Sequence, residues 1–482
     1  MASARPRRVS VRRRRLALAL GLVAAAIAAS VALATSTGGG GLPRLPAPGV
    51  AQAPSPRDPF VYAPSRQADF VARATAGQAH VLYAKSPDGV VSTAARVAAW
   101  APLIQRATAG TGVDPAVLEA IVFLESGGFP NAIAGADPSA AAGLTQIVAD
   151  TGTSLLGMHI DLVRSRALTK QILAAGAGGH QAAVRRLEAQ RARVDDRFDP
   201  AKALAATVRY LSLAQTRFGR SDLALESYHM GIGNLTSVLS AYDGGAPVPY
   251  VQLYFDTAPD RHAAAYRLLS SFGDDSWTYY WRILAAEQIM RLYRSDRSQL
   301  QRLAGLETEA GSTAEVLHPP DQAPGFADPP ALTEAYAQGV VKPLPANPRA
   351  LGLAYDPAMG SLGPRLNAPA ALYRGLRAPA LDLLIQLAAR VRALSHAAAP
   401  LTVTSTVTDQ RYQQLVGAND PTAAAGWSFT LARHYATPGQ AAALQAMLDR
   451  LQALNVIAWQ RYPAEIEVTV ASDADQVIAS GA

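Results

Sequence analysis

The sequence predicts a mainly α unit followed by a smaller α+β unit. Three observations lead there. Ala and Leu dominate while aromatic residues make up only 7%. Gly and Pro gather between the periodic segments rather than inside them. Alternating apolar runs of strand type occur late, at 401–408 and 465–470. A chain of 482 residues has room for more than one core of useful size.

Taken in order, residues 1–35 read as an export signal or a membrane anchor. Seven arginines, Arg5, Arg7, Arg8 and Arg12 through Arg15, precede an uncharged apolar run over 16–34 that closes on Ala32-Leu33-Ala34, a small-x-small cleavage pattern. The run is also nearly long enough to span a bilayer, so an uncleaved anchor stands beside a removed signal as an alternative. Either way the protein is expected to be exported and extracytoplasmic, secreted or anchored, and to meet the membrane only through this N-terminal segment. Those arginines account for the whole formal charge of +7. The body beyond them is neutral, which leaves no basic footprint for nucleic acid. No cysteine occurs, so lipid attachment through a cysteine, a disulfide framework and thiolate metal ligands are all excluded.

Residues 36–65, rich in Gly, Pro and Ala, are expected to form a flexible linker. The main unit is expected over 66–300 and opens with helical pieces at 67–76 and 94–107. Its centre is the stretch from Asp114 to Gly128. Asp114 suits an N-cap, Pro115 the first helical position and Gly127 a left-handed stop. Nearly every face between them is apolar, so this helix belongs in a core. Glu125 falls on its last turn, where burial and the negative end of the helix dipole both disfavour ionisation. A carboxyl that keeps its proton near neutral pH is what a general acid needs. Glu119 lies six residues earlier, a rotation of about 240° on a helix, so the two glutamates cannot share a face.

Further on come Phe129-Pro130-Asn131-Ala132, a Gly/Ala/Asp loop, Ala142-Gly143-Leu144-Thr145-Gln146-Ile147, a helix over 200–217, and a Tyr- and Gly-bearing run over 225–235. In order and spacing these resemble the soluble lytic transglycosylase (SLT) family. That family's pattern is Glu-Ser, a nearby Pro, Gly-Leu-Met-Gln-Ile, a helix ending in Tyr-Leu, and Ala-Tyr-Asn-x-Gly-x-Gly-Asn-Val. Here the places are held by Glu125-Ser126, Pro130, Gly143-Leu144-Thr145-Gln146-Ile147, Tyr210-Leu211 and Ser227-Tyr228-His229-Met230-Gly231-Ile232-Gly233-Asn234-Leu235. The resemblance covers about 96–300 and implies a lysozyme-like domain. Two residues depart from the pattern. Thr145 stands for Met, which is expected to alter a packing contact in the cleft. His229 stands for Asn and is either a titratable group beside the site or a histidine satisfied locally.

The resemblance also implies a chemistry that requires no cofactor. A single glutamate, Glu125, protonates the β-1,4 glycosidic oxygen between N-acetylmuramic acid and N-acetylglucosamine in peptidoglycan glycan strands. It then takes the proton of the muramic acid 6-hydroxyl, which closes to a 1,6-anhydro product. By the same resemblance Tyr228 holds Glu125 in orientation, Ser126 contacts the acetamido group, and Gly143, Gln146 and His229 line the cleft. Gly231, Gly233 and Asn234 shape the turn. Ordinary glycosidases use two carboxylates, and the one candidate for a second is Glu226. A surface position is expected for it, because Leu225 and Tyr228 define the buried stripe of their helix. In the cleft it would activate water and give a hydrolytic muramidase. The alternative outside the enzymes is a non-catalytic cell-wall binding protein.

Two segments of this unit have open readings. The stretch 157–199 is longer than the family pattern requires, and its charged part, 181–196, reads as a solvated surface helix or lid, or else as an insertion that grips substrate. Trp277-Thr278-Tyr279-Tyr280-Trp281 is placed in the core by helical spacing, with stacking on sugar as the alternative.

Residues 301–350 read as a Pro-rich linker, and 351–475 as the α+β domain, with helices over 381–398 and 439–453 alternating with the two strands. Over about 375–475 this order loosely resembles the zinc D-Ala-D-Ala carboxypeptidase-like domains. Gly426-Trp427-Ser428-Phe429 fits the Gly-x-Ala-Phe core of their signature, and Ser405 and Arg411 fit its Ser and Arg approximately. Ala423 and Glu467 stand where metal histidines belong, and Thr430 where the aspartate belongs. A zinc site needs about three protein ligands, so no metal is expected. The domain is expected either to hold peptide stems or to serve as scaffold, the alternative being an unrelated α+β fold.

Overall fold

The computed structural model describes residues 45–50, 58–309, 313–319 and 322–481. The expected signal or anchor at 1–35 lies outside the described residues, as does much of the expected linker. Among the described residues no helix is long and apolar enough to cross a membrane. The chain divides into a helical unit, 60–316 with 448–456, and a second unit, 317–447 and 457–482 with the described residues before Phe60.

The helical unit is organised on helix Pro115–Ser126. The Asp114 carboxylate accepts the Ala116 N–H at 2.8 Å, Pro115 takes the first position, and Gly127 closes the helix at φ 57°. The carbonyls beyond the last turn are taken up from a neighbouring segment. Arg96 Nε donates to Gly127 O and Trp100 Nε1 to Gly128 O, each at 3.0 Å. Leu118, Ala120, Ile121, Val122 and Phe123 are all buried. Helices Val90–Ala98, Ala101–Thr108, Pro200–Phe218 and Tyr279–Ser295 surround them. Such a helix is stabilised by packing more than by propensity. Asp199 caps helix Pro200–Phe218 through the Ala201 and Lys202 N–H groups, and Gly219 at φ 67° ends it. Helix Ser221–Met230 follows, and Gly231 at φ 89° turns the chain into helix Ile232–Asp243.

The charged stretch read as a solvated helix or lid is a helical hairpin, Leu162–Ala177 and Gln181–Val194, whose inner face is buried. Arg191 donates to Thr169 Oγ1 and Asn131 Oδ1, each at 3.0 Å, and lies 3.6 Å from the centre of the Phe198 ring. Beyond it Asp195 and Arg197 form an ion pair with no solvent exposure. All five Arg197 donors are engaged. Nε and Nη2 grip the Asp195 carboxylate, and the others reach Pro138 O at 2.6 Å, Ala140 O at 3.0 Å and Ile147 O at 3.2 Å. Ser165 Oγ completes the Asp195 shell at 2.7 Å. The sequence pattern missed this because a charge run is read as solvated. Buried, the same charges need partners, and they find them in the backbone of the loop at 137–147.

In the second unit, strands β2 (Leu353–Tyr355), β4 (Leu401–Ser405), β5 (Ser428–Ala432), β7 (Glu465–Val470) and β6 (Ile457–Arg461) form one sheet in that order, antiparallel except for β2 with β4. Helix Ala378–Ser395 buries Leu383, Leu384, Leu387 and Val391. The Pro-rich linker expected over 301–350 is largely ordered structure. Helix Arg297–Glu309 runs into its start and helix Pro329–Ala337 occupies its middle. Strand β1 (Val341–Pro343) pairs with β3 (Gly375–Arg377). Asp328 caps helix Pro329–Ala337 by accepting the Ala331 N–H at 3.0 Å. Pro329 and Pro330 sit where a helix start tolerates proline, so residues read as breakers are an opening turn. Leu332, Ala335 and Tyr336 then pack with Val341, Leu372, Tyr373 and Val407. In the expected linker at 36–65, Gly49 O accepts the Ala346 N–H at 3.2 Å and Phe60 is fully buried, so this segment is in part packed.

Breaking the buried ion pair should be costly. Arg197→Met is expected to lower the unfolding free energy by about 3–5 kcal/mol, because Asp195 is left charged and unpaired. Arg166→Ala, at the exposed pair with Asp137, is expected to leave stability almost unchanged, because solvent screens that pair. Urea denaturation of the two variants checks the contrast.

Candidate active site

Glu125 ends the central helix, and a tyrosine from far along the chain meets it. Tyr279 opens helix Tyr279–Ser295 and its hydroxyl donates to Glu125 Oε1 at 2.5 Å. Glu125 is only partly shielded from solvent, yet the protein around it is dense. That desolvation pushes its carboxyl up to about 7, with the Tyr279 hydrogen bond opposing the rise. Burial and the adjacent Glu125 raise the Tyr279 phenol well above its ordinary range, so it remains a donor.

Tyr228 occupies a different place from the one expected. Its hydroxyl donates to Thr145 O at 2.8 Å and lies 3.2 Å from Thr207 Oγ1, and its ring stacks on Tyr279 at 6.2 Å. The bond to the glutamate comes from Tyr279, while Tyr228 supports that ring and ties the 143–147 loop to helix Ser221–Met230. The helical spacing that assigned 277–281 to the core holds for Trp281, which is fully buried, but Tyr279 faces the glutamate. Helix periodicity separates buried from exposed positions. It does not say which buried face meets a residue 154 positions away.

The remaining candidate residues gather around this pair. His229 is exposed, stacks on Tyr279 at 5.1 Å, and has Nδ1 3.0 Å from Ser276 Oγ. Gly143 has φ +81°, and a Cβ there would lie 1.9 Å from Arg197 O, so only glycine fits. Gln146 adopts φ 51° and its amide donates to Gly143 O at 2.8 Å and Ala132 O at 3.1 Å, which folds the loop on itself. Thr145 is buried with its hydroxyl unpartnered, beneath the loop rather than in its wall. Ser126, expected to face an acetamido group, points inward: it is buried and its hydroxyl donates to Leu144 O at 2.7 Å. A helix end beside a tight loop leaves carbonyls to satisfy, and Ser126 satisfies one. Gly231 makes the turn at φ 89°, Gly233 lies within helix Ile232–Asp243, and Asn234 Nδ2 donates to Met230 O at 2.9 Å.

Glu226 is the largest correction. Expected at the surface, it is 0% exposed. Oε2 accepts the Tyr280 N–H at 2.9 Å, whereas Oε1 has no hydrogen-bond partner, with the Tyr250 hydroxyl beside it. Burial pushes this carboxyl up to about 8 against the hydrogen bonds and the Arg282 charge. The stripe argument failed because the helix is covered on more than one side: Leu223, Ala224, Ser227 and Met230 are buried as well. Glu226 thus sits behind the aromatic row, closed to water and to substrate. Glu119, also buried, pairs with Arg294.

In the second unit the residues expected at metal-ligand places do not form a donor set. Thr430 and Glu467 face each other directly across β5 and β7. Glu467 accepts from the Tyr462 hydroxyl at 3.1 Å, and burial beside Asp420 pushes it up to about 7. Ala423 offers no ligand atom, and among the described residues no three His, Cys, Asp or Glu side chains assemble as a metal site. These residues do not fit zinc.

Residues 102–246 match the family model described as the transglycosylase SLT domain. The match takes in Glu125, the 143–147 loop and the run from Tyr228 to Asn234. It stops short of Tyr279.

Two substitutions test this geometry. Tyr279→Phe removes a hydrogen bond that favours the carboxylate, so Glu125 is expected to titrate above its value of about 7, as read by carboxyl carbon NMR. Glu226 has its folded value raised from 4.5 to about 8. Its contribution is therefore full below pH 4.5 and is lost as pH rises to 8. Glu226→Gln is expected to flatten the fall in stability across that window by a few kcal/mol, at about 1.4 kcal/mol per unit, as measured by denaturation at each pH.

Proposed function

We propose that this chain, which through residues 102–246 belongs to the soluble lytic transglycosylase family, cleaves peptidoglycan by the water-free route. The bond cut is the β-1,4 link between N-acetylmuramic acid and N-acetylglucosamine, and the product ends in 1,6-anhydro-muramic acid. The observation that carries this reading is the pair of unequal carboxyls. Glu125 is partly open and titrates near 7, while Glu226 is sealed from solvent. Hydrolysis by a two-carboxylate mechanism needs the second acid beside the sugar, as base for water or as nucleophile. Here a lone accessible acid does both proton transfers.

Tyr279 occupies Oε1, so the transferable proton belongs on Oε2. Glu125 gives it to the glycosidic oxygen as the bond to the anomeric carbon breaks. The carboxylate so formed, steadied by the Tyr279 hydroxyl, accepts the proton of the muramic acid 6-hydroxyl as that oxygen closes on the anomeric carbon. A value near 7 suits a group that must be acid and then base at neutral pH. Attack from within the same sugar supplies the effective concentration that a free water lacks. Gln146, Gly143 and His229 are the proposed walls of the sugar cleft, with Tyr228 holding Tyr279 in place. No cofactor takes part in these steps. Export, with attachment through the N-terminal run over 16–34, would place the enzyme with its substrate. The second unit is proposed to hold peptide stems or to scaffold the chain.

Digestion of purified sacculi followed by mass spectrometry tests the reading. Anhydro-muropeptides are the expected product. Reducing-end muropeptides without anhydro sugar would indicate a muramidase, and no release at all a cell-wall binding protein. Glu125→Gln is expected to reduce release by about a hundredfold to ten-thousandfold.

A further inference from the structure

The hairpin at 162–194 braces the cleft loop with its inner face and leaves its outer face without any task in the helical unit. On helix Leu162–Ala177 the positions 163, 167, 170, 174 and 177 follow alternating steps of four and three, which puts them on one side. All five are exposed. Val163 is 77% exposed and Leu173, next to that stripe, is 61% exposed. Apolar side chains so placed add nothing to folding. The charge is equally one-sided: seven Lys and Arg stand against one acid, Glu188, over 162–194. Arg191 is buried and Arg166 pairs with Asp137. Arg164, Lys170, Arg185, Arg186 and Arg193 remain, all exposed and without an ion-pair partner among the described residues. Beyond residues 1–15 the chain as a whole is neutral, so this excess is local.

We propose that the outer face of the hairpin docks on a membrane surface of anionic phospholipid. Val163 and Leu173 enter the boundary between headgroups and acyl chains, and the five cations meet the lipid phosphates. Apolar side chains interleaved with basic ones are what an interfacial helix presents. Each cation near such a surface strengthens binding by about fivefold. A soluble polyanion, or the carboxylates of peptide stems, would engage the cations and leave Val163 and Leu173 in water. The apolar pair therefore selects lipid. Because Arg197 and Asp195 join the hairpin to the 137–147 loop, docking would also set the attitude of the cleft above the bilayer. The inference does not depend on the reaction proposed above.

The chain has no cysteine, so Leu173→Cys in the full-length protein accepts a single environment-sensitive fluorophore. That gives a local readout which the arginine-rich N-terminal segment cannot imitate. The control is the same fluorophore at Leu213→Cys, an exposed position in helix Pro200–Phe218. Vesicles of phosphatidylcholine containing phosphatidylglycerol are expected to shift the probe at 173 to the blue and leave 213 unchanged. Vesicles of phosphatidylcholine alone should shift neither. Arg185→Glu with Arg186→Glu should raise the lipid concentration at half-shift by at least about 25-fold, at fivefold for each lost cation. Three results would overturn the proposal: no shift at 173 on vesicles that sediment with the protein, an equal shift at 213, or the same shift with soluble polyphosphate or muropeptides in place of lipid.

Discussion

Three carboxyls in the helical unit, the buried Glu119 and Glu226 and the partly open Glu125, take a donor from helix Tyr279–Ser295. Glu125 is met by the Tyr279 hydroxyl, Glu226 by the Tyr280 N–H, and Glu119 by the Arg294 guanidinium. A carboxyl taken out of water without a partner is costly, so these bonds constrain where the helix can lie. Once it is there, Tyr279 stands between Glu125 on one side and the Tyr228 ring on another. The residues 102–246 that match the SLT domain model stop before this helix. The domain's central acid is thus completed from outside the matched stretch.

The partners differ, and the chemistry differs with them. A guanidinium holds Glu119 as an ion pair. A single backbone N–H leaves Glu226 with one unpartnered oxygen, and a carboxyl in that state favours its proton. The phenol at Glu125 lies between these cases. Its hydrogen bond stabilises the carboxylate and so favours loss of the proton, without overcoming the desolvation that keeps the proton on up to about pH 7. Of the three, Glu125 is the most open to solvent.

A second constraint acts from the other wall. The 143–147 loop runs so close to Arg197 that position 143 admits only glycine, and the Arg197 side chain holds three carbonyls of residues 138, 140 and 147. Thr145 O then accepts from Tyr228. The buried ion pair at the foot of the hairpin and the aromatic row at the glutamate therefore grip the same short loop, the first at residues 143 and 147 and the second at Thr145 between them. Rigidity at a loop that would otherwise be mobile is what a positioned acid requires.

The sequence by itself determined the local decisions. Asp114, Pro115 and Gly127 mark the two ends of the central helix, its apolar faces place it in a core, and Glu125 is put on the last turn. Each of these follows from the preference of a residue for a backbone conformation or for water, which operates over a few positions. The motifs from Glu125 to Asn234 were legible for the same reason, since each is a turn or cap with its own residue requirement. Tertiary structure alone decided which buried face met which. It brought Tyr279 to Glu125, turned Ser126 inward, sealed Glu226 that the stripe argument had put outside, and buried Asp195 and Arg197 within a run of charge. Those outcomes depend on partners tens to hundreds of residues away, and a one-dimensional pattern records how apolar a position is without recording what lies against it.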